Sequence, residues 1–329
     1  MHYVVYGAGA VGGVVGARLA DAGIRVTLVA RGGHLEAIRA DGLTLESVSG
    51  RTRHRLDAFP SAEHVRWASE CTVLLAVKSD QTAAALDDLA AFAPPETTVV
   101  AMQNGVANER QISRRFDGTY SCFVMMPCAH LEPGVVVEQC HPIPGIIDVG
   151  RYPSGRDPFV DSLASDLVSA GFAAESRSEI MAWKYRKLLT NLGNVVQACF
   201  RPGHAADELA GLAREEGEAT LREAGIAAVS EDEDLRRREG ILRGWARPDA
   251  FGSSWQSLAR GTGSLEADYL NGEIALMGRL HDVPTPVNRS LQLVARRVVI
   301  DRVHPRTMDA ASLLDSYRAS PVSRTAAGS

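Results

Sequence analysis

Residues 2–12 read HYVVYGAGAVG, and this stretch decides the fold. The apolar run at residues 2–6 is typical of a strand buried in a parallel sheet. It leads directly into a GxGxxG motif, and residues 10–22 then continue with helical spacing. A strand, a glycine-rich turn and a helix in this order are the signature of a dinucleotide-binding unit. The motif consists of Gly7, Ala8, Gly9, Ala10, Val11 and Gly12.

The three glycines of this motif predict a turn that binds a pyrophosphate. Gly7 permits the tight turn, Gly9 lets the backbone approach the phosphates, and Gly12 allows the helix to pack closely on the strand. Backbone amides at the start of the helix then face the anion, and the helix dipole favours negative charge there. We therefore expect all six residues of the motif to take part in cofactor binding.

The end of the second strand indicates which dinucleotide is bound. Residues 25–29 (RVTLV) predict that strand, and Ala30 and Arg31 follow it. A carboxylate at this place would bond the ribose hydroxyls of NAD, but this chain has a guanidinium, which matches phosphate geometry. Arg31 therefore predicts a preference for NADP(H), although a solvent-exposed loop arginine would give the same sequence.

Strands and helices alternate up to residue 101. Residues 72–76 and 97–101 predict two more buried strands, and residues 80–92 between them predict a helix. Such alternation indicates a parallel sheet with right-handed crossovers. Residues 118–149 are rich in strand-forming residues and are broken by Pro and Gly, so we expect antiparallel strands to complete the sheet there.

The strand pattern disappears after residue 176, and helical spacing replaces it. Helices are predicted at residues 178–199, 205–226, 231–246, 265–281 and 285–303. The fold class expected is an α/β Rossmann-type domain with a parallel sheet, followed by an all-α C-terminal domain. We place the first domain at residues 1–176, the second at 177–304 and a loosely ordered tail at 305–329.

Composition narrows the classes of protein to which this chain can belong. The 329 residues are 45% hydrophobic and 23% charged with a net charge of -5, which favours a globular protein and disfavours nucleic acid as a partner. No apolar run reaches the ~20 residues of a membrane helix, and the amino terminus has no signal-peptide pattern. We expect a cytoplasmic protein that contacts neither nucleic acid nor membrane.

Cysteine and histidine patterns give no indication of a metal site. The five cysteines include no CxxC pair, and the nine histidines include no HExxH motif. Because most of the cysteines lie in apolar stretches, we expect reduced core residues and no bound metal.

Further along the chain, five landmarks occur in a fixed order. They are AVKSDQT at residues 76–82, QNG at 103–105, KLLTN at 187–191, SS at 253–254 and EADYLNG at 266–272. Together with the opening 31 residues, they resemble the ketopantoate reductase (2-dehydropantoate 2-reductase) family. The resemblance implies NADPH-dependent reduction of the C2 ketone of a branched 2-keto acid. Ketopantoate to pantoate, a step in pantothenate and coenzyme A biosynthesis, is the reaction it favours most.

A lysine and a glutamate match the family's catalytic positions. Lys187 matches the catalytic lysine, whose ammonium hydrogen-bonds a carbonyl oxygen and then protonates it. From spacing alone, Lys184 and Arg186 nearby weaken that choice, and the resemblance selects Lys187. Glu266 matches the glutamate that meets the cofactor and helps to place the lysine, where a carboxylate would keep the ammonium charged.

Three further residues are expected to bind the substrate. Asn191 lies four residues after Lys187 and therefore on the same face of a helix. Asn194 lies seven residues after Lys187 and stays on that face, whereas the family usually has its second asparagine one position later. Ser254 matches a serine that binds the substrate carboxylate.

Two residues at predicted strand ends complete the expected cofactor site. Asn104 matches a family residue that contacts the cofactor near the nicotinamide, and strand ends are where α/β sheets bind ligands. Lys78, at the preceding strand end, either holds a cofactor phosphate or ribose or is a solvent-exposed loop lysine.

The chain also departs from the family pattern, which leaves other functions open. Phe251 and Trp255 replace an asparagine and a methionine near Ser254, so the pocket has lost polar groups and gained aromatic ones. A related reductase for a different bulky 2-keto acid is therefore an alternative, as is a non-catalytic NADP(H)-binding sensor. The expected partner is a small 2-keto acid, and the helical domain could pair with a copy of itself as a homodimer.

Overall fold

The computed structural model describes residues 1–244, 255, 258 and 265–319. The chain divides into two compact units, Met1–Lys184 with Ser230–Ala250 and Tyr185–Val229 with Phe251–Ser329. The first unit is an α/β domain and the second is helical, so the expected fold class is confirmed. The described residues 230–244 join the α/β unit, whereas we expected them in the all-α part.

The centre of the first unit is a seven-stranded sheet. The strands of this unit, in chain order, are β1 (His2–Tyr6), β2 (Arg25–Val29), β3 (Leu43–Ser47), β4 (Gly50–His54), β5 (Asp57–Phe59), β6 (Cys71–Leu75), β7 (Thr98–Ala101), β8 (Thr119–Met125), β9 (Cys128–Ala129), β10 (Val135–Glu138) and β11 (Ile146–Arg151). The sheet has the order β11-β8-β7-β6-β1-β2-β5. Neighbours from β8 to β5 pair in parallel, and β11 pairs antiparallel with β8. The antiparallel pair of β8 and β11 agrees with the antiparallel strands expected over 118–149, and β8 also joins the parallel part of the sheet by pairing with β7.

A second, four-stranded sheet with the order β4-β3-β10-β9 is absent from the sequence-based prediction. Its centre is the parallel pair of β3 and β10, in which Leu45 faces Val136 and both side chains are buried. Arg18 and Glu138 form an ion pair that ties this sheet to the helix after the glycine-rich turn. The small sheet therefore brings the chain around residue 134 next to that turn.

Helices cover both faces of the central sheet. The helices in the described ranges are α1 (Ala10–Asp21), α2 (Gly32–Asp41), α3 (Thr82–Phe92), α4 (Asn108–Ile112), α5 (Pro158–Ser169), α6 (Ile180–Asn191), α7 (Asn194–Cys199), α8 (His204–Glu223), α9 (Glu231–Arg238), α10 (Asn271–Leu280), α11 (Pro286–Ile300) and α12 (Ala310–Ala319). Tyr3 and Val5 of β1 pack in one apolar cluster with α1, and Val4 and Tyr6 pack in another with α3. Because β1 is covered on both faces, it requires the unbroken apolar run that the sequence shows.

An ion-pair network holds α9 in the first unit. Asp148 of β11 is fully buried, and its carboxylate accepts hydrogen bonds from Arg177 at 2.9 and 3.0 Å and from Arg237 of α9 at 2.6 and 3.0 Å. Removing such partners would leave an unpaired buried charge, which is strongly destabilising. The helix predicted at 231–246 thus forms in part, over α9, and this charge pairing assigns it to the α/β unit.

A buried carboxylate organises the second unit. Glu216 of α8 accepts hydrogen bonds from the backbone amides of Val287 and Asn288 at 2.8 and 2.9 Å. These amides belong to the first turn of α11, where they have no acceptor within the helix. Burial raises the pKa of Glu216, and the amide bonds oppose that change. The carboxylate therefore fixes the position of α11 on α8.

The last described helix occupies sequence that we expected to be a loosely ordered tail. Residues 310–319 form α12, in which Ala310 and Leu314 are buried, and Arg318 pairs with Glu208 of α8. The expectation of a loosely ordered tail is therefore wrong up to residue 319. A few apolar residues with helical spacing are enough to form a helix here, because α8 offers a surface against which they pack. None of the helices in the described ranges combines the length and apolarity that crossing a membrane requires.

Candidate cofactor site and active site

The glycine-rich turn between β1 and α1 has the geometry that a pyrophosphate requires. Gly7 has a φ of +105°, and a Cβ there would lie 2.7 Å from the Val77 nitrogen. A Cβ on Gly12 would lie 2.2 Å from the Gly7 carbonyl oxygen, whereas one on Gly9 would project into space with no atom within 4 Å. The turn is therefore closely packed below and open above Gly9, where amides at the start of α1 can face an anion.

A histidine that the sequence did not single out supports this turn. The His34 Nδ1 accepts a hydrogen bond from the Gly134 amide at 2.9 Å, so its Nε2 carries the proton and donates to the Ala8 carbonyl at 2.7 Å. Burial, and to a lesser extent the His130 ring 4.1 Å away between centroids, lower the pKa of His34 to about 4. The ring therefore stays neutral near pH 7 and fixes the turn from below. A single histidine after Gly33 belongs to no recognisable sequence motif, so this role becomes visible only in the tertiary structure.

Arg31 lies at the carboxyl end of β2, next to the strand that leads into the glycine-rich turn. Its side chain is exposed, and its Nη2 donates to the Tyr6 hydroxyl at 3.4 Å. That hydroxyl in turn donates to Asp88 at 2.6 Å. Burial and the Asp88 hydrogen bond both raise the pKa of Tyr6. The guanidinium thus has a defined location at the strand-end edge and remains open to solvent.

The turns after β6 and β7 are joined by one buried side chain. Asn108 of α4 donates from Nδ2 to the Asn104 carbonyl and to the Ser79 hydroxyl, both at 3.1 Å. Its Oδ1 accepts from Thr82 at 2.8 Å. Lys78 and Asn104, the two expected cofactor contacts, are half-buried in these adjoining turns. The structure therefore brings the two turns together, as the strand order requires.

The lysine that competed with Lys187 in the sequence has a different role. Lys184 is 3% exposed and forms an ion pair with the fully buried Glu109. Its Nζ also donates to the Gln103 carbonyl at 3.0 Å, and Glu109 accepts from Ser121 at 2.6 Å. A buried ammonium with these partners is not available to an incoming substrate. The geometry therefore assigns Lys184 to the interior of the α/β unit.

The expected catalytic lysine lies one turn later on α6. Lys187 is half-buried, and Asn191 is buried at the last residue of the helix. Four residues separate them, so they share a helix face. The helix then ends, and Asn194 begins α7. The prediction that Asn194 shares this face assumed one continuous helix, and the structure instead has a two-residue break at 192–193.

Glu266 has an unusual backbone conformation. Its φ of 55° and ψ of 11° lie in the left-handed region, and its side chain is half-buried. Residues other than Gly, Asn and Asp rarely adopt this conformation, which costs on the order of 1 kcal/mol. Such strain clusters at functional sites. Ser254, the other expected site residue in this part of the chain, lies outside the described residues.

Two polar residues that follow Glu266 bond to the protein itself. Asp268 forms an ion pair with Arg296 at 2.9 Å and accepts from Gln292 at 2.6 Å. Asn271 is fully buried and donates to the Leu192 carbonyl at 3.0 Å. The carbonyl of Leu192 belongs to the break after α6, so Asn271 fixes the point where that helix ends. Both residues are therefore structural parts of the EADYLNG segment.

None of the five cysteines, all of which lie in the described ranges, forms a disulfide. Burial raises the pKa of Cys122, Cys128 and Cys199 to about 12, so these thiols are poor nucleophiles near pH 7. Within the described ranges, no group of three or more His, Cys, Asp and Glu side chains has the arrangement of a metal site.

Two family models match most of the chain. Residues 3–154 match the model described as Ketopantoate reductase PanE/ApbA, and residues 179–298 match the one described as Ketopantoate reductase PanE/ApbA C terminal. The 2-dehydropantoate 2-reductase of Pyrococcus horikoshii is 30% identical over 297 residues, which cover 88% of this chain and 94% of that protein.

Solved structures match over a similar extent. The crystal structure of a ketopantoate reductase from Ralstonia eutropha has a TM-score of 0.77 at 27% identity and covers 92% of this chain and 100% of that one. A D-mandelate dehydrogenase in a ternary complex with NADH and anilino(oxo)acetate has a TM-score of 0.78 at 20% identity, with 92% and 99% covered. The second match shows a shared fold.

Proposed function

Because the chain belongs to the ketopantoate reductase family, we propose that it reduces 2-dehydropantoate (ketopantoate) to pantoate with NADPH, in the synthesis of pantothenate and coenzyme A. Membership makes it an oxidoreductase that acts on a 2-keto acid with a nicotinamide cofactor. The particular keto acid and the phosphorylated form of the cofactor are our proposals. We assign the reaction to the cytoplasm.

Arg31 and the glycine-rich turn are proposed to hold the cofactor. NADPH supplies the hydride that the reduction consumes. The open space above Gly9 admits a pyrophosphate, while Arg31, on the adjoining strand end, offers a guanidinium to a 2′-phosphate. The strand end of β2 carries no carboxylate that would repel that phosphate. Asn104 and Lys78 would bind the part of the cofactor beyond the pyrophosphate.

Lys187 is proposed as the proton donor. Its ammonium would donate a hydrogen bond to the C2 oxygen of the keto acid and transfer a proton to that oxygen as negative charge develops there. Glu266 would keep the ammonium charged, and its strained backbone supports a functional role. Asn191, on the Lys187 face of α6, would orient the same groups, and Asn194 and Ser254 would hold the substrate carboxylate.

The observation that carries this proposal is the match of the two family models, over residues 3–154 and 179–298. The test is NADPH consumption, followed by absorbance, with ketopantoate as substrate. We expect turnover, and Lys187→Ala should reduce kcat by ~10²- to 10⁴-fold. Undiminished turnover in that variant would remove Lys187 from the mechanism. Tight NADPH binding without reduction of any keto acid would identify a sensor instead.

A second candidate substrate class has its own support. Phe251 and Trp255 stand where the family usually has an asparagine and a methionine. Added aromatic surface and lost amide groups favour a bulkier or more apolar keto acid. A panel of 2-keto acids of increasing size, compared by kcat/KM, decides between the two. Ketopantoate as the clear best substrate would eliminate this second candidate.

The chain is also proposed to form a homodimer through the helical unit. Large apolar side chains are exposed there, with Leu280 at 68% and Ile300 at 73% exposure. Light scattering during gel filtration should give twice the 35.3 kDa chain mass. Leu280→Glu combined with Ile300→Glu should return the mass to that of one chain, and an unchanged mass in the double variant would place the interface elsewhere.

A further inference from the structure

Beneath the Gln103–Asn104–Gly105 turn lies a group of three buried polar residues, Asn108, Glu109 and Lys184, here called the anchor cluster. We propose that the anchor cluster positions this turn against the nicotinamide half of the cofactor. The three are positioning residues, because they act through the turn. This inference rests on the proposed function in one respect, namely that a nicotinamide dinucleotide binds along the strand ends of the first unit.

The anchor cluster binds two successive carbonyls of the turn. The Gln103 carbonyl accepts from the Lys184 Nζ at 3.0 Å, and the Asn104 carbonyl accepts from the Asn108 Nδ2 at 3.1 Å. Gly105, with a φ of +79°, completes the turn. A peptide in this turn cannot rotate without breaking a buried hydrogen bond. The orientation of the half-buried Asn104 side chain is therefore set from inside the protein.

The ion pair in the anchor cluster is a poor choice for stability alone. Glu109 is fully buried and Lys184 is 3% exposed, and moving both charges out of water offsets much of their attraction. One carboxylate oxygen of Glu109 bonds Ser121, and the other, Oε2, has no hydrogen-bond partner among the described residues. An apolar pair of similar volume would stabilise the fold as well or better. What the pair adds is a fixed donor beneath the Gln103 carbonyl.

The strand order identifies the part of the cofactor that meets the turn. Along the strand-end edge the order is β7, β6, β1 and β2. The glycine-rich turn follows β1, and Arg31 follows β2, so a dinucleotide with its pyrophosphate at β1 has its phosphorylated ribose on the β2 side. Its other half then extends across β6 to β7, about 10 Å away at ~4.8 Å per strand. That half is the nicotinamide riboside, and the anchored turn follows β7.

The test separates the two halves of the cofactor by calorimetry. NADP⁺ probes both halves, and adenosine 2′,5′-bisphosphate probes the half on the β1 and β2 side. In Asn108→Asp, a carboxylate replaces the amide that donates to the Asn104 carbonyl, so the Kd for NADP⁺ should rise about 10-fold. The Kd for the bisphosphate should stay within about twofold. The hydrogen bond that is lost lies in the turn after β7, away from the β1 and β2 side where the bisphosphate binds.

A second variant keeps the proposal testable if Asn108→Asp does not fold. Lys184→Met combined with Glu109→Gln removes the ion pair without leaving an unpaired charge. We expect the same selective loss of NADP⁺ affinity, with the bisphosphate unaffected. Arg237→Met is the matched control, because Arg237 pairs with the buried Asp148, which belongs to β11 of the same unit and not to the turn after β7. This control should lower the melting temperature and leave the ratio of the two Kd values unchanged.

Several outcomes would overturn the proposal. Equal weakening of both ligands in the anchor variants, in proportion to their loss of melting temperature as in Arg237→Met, would show a purely structural role. Unchanged NADP⁺ affinity would do the same. The titrations contain no keto acid, so a wild-type protein that binds NADP⁺ but reduces nothing fails the proposed function only. A wild-type protein that binds neither NADP⁺ nor NAD⁺ would overturn the anchor proposal.

Discussion

Two turns at the same edge of the central sheet are fixed in opposite ways. The turn after β1 is shaped by its own glycines, because Gly7 and Gly12 have no room for a Cβ. The turn after β7 is shaped by buried side chains from α4 and α6, which bind its carbonyls. The first kind of turn is encoded locally, and the second depends on residues far along the chain. Substitutions should therefore affect the two turns differently.

The largest effect is expected within the glycine-rich turn. Gly12→Ala places a Cβ 2.2 Å from the Gly7 carbonyl oxygen, so the helix must move away from the strand. We expect a loss of ~1–3 kcal/mol in the free energy of unfolding together with a loss of cofactor affinity of at least ~100-fold. Denaturant unfolding and calorimetry with NADP⁺ measure both quantities.

Gly9→Ala is the matched comparison for that variant. Its Cβ would meet no protein atom within 4 Å, so the melting temperature should not change. Cofactor affinity should still fall by ~10-fold or more, because the methyl group occupies the space above the turn. A Gly9→Ala protein that binds NADP⁺ normally would show that the pyrophosphate lies elsewhere.

A smaller effect is expected at Arg31. Its guanidinium is exposed and donates a long hydrogen bond, 3.4 Å, to the Tyr6 hydroxyl. Arg31→Ala should therefore leave stability nearly unchanged. It should raise the KM for NADPH by ~10- to 100-fold, which is the expected effect of losing a charged hydrogen bond to phosphate. The KM for NADH should change little, because NADH has no 2′-phosphate. Equal changes for the two cofactors would contradict a 2′-phosphate site.

The smallest effect concerns pH and His34. The folded-state pKa of about 4 lies below the ordinary value of 6.5, so the unfolded chain binds this proton first. Stability is therefore complete above pH 6.5 and falls as the pH drops toward 4, by about 2 kcal/mol after allowance for partial exposure. His34→Gln keeps a donor and removes the titration. The difference between the wild-type and variant unfolding free energies should shrink or reverse across this window, and a constant difference would contradict the pKa assignment.

The contrast between the two turns also explains what the sequence could predict. The bounds of β1 and β2 and the glycine-rich turn follow from local apolar runs and glycine spacing. The pairs that fix the second turn and α9 could not be predicted, since Lys184 and Glu109 are 75 residues apart and Arg237 and Asp148 are 89 apart. Charged residues at such separations have no local pattern that distinguishes a buried pair from a solvated face.

The same limit applies to the small sheet and to Asn194. Strands β9 and β10 are only two and four residues long, and β3 lies far from β10 in sequence, so pairing rather than propensity creates that sheet. Asn194 was placed by extending one helix through Gly193, where the structure has a break. Helix periodicity identified the segment and could not locate its interruption.

The central claim is that two lysines of α6 have different roles, Lys187 as the proton donor and Lys184 as a buried positioning residue. Amine rescue tests this claim most directly. Turnover of Lys187→Ala with NADPH and ketopantoate is measured against increasing ethylammonium, alongside the Lys184→Met and Glu109→Gln double variant. We predict saturable recovery of activity in Lys187→Ala, because a free ammonium can replace the missing proton donor, and no recovery in the double variant. Full activity of Lys187→Ala without amine, or recovery confined to the double variant, would contradict the assignment.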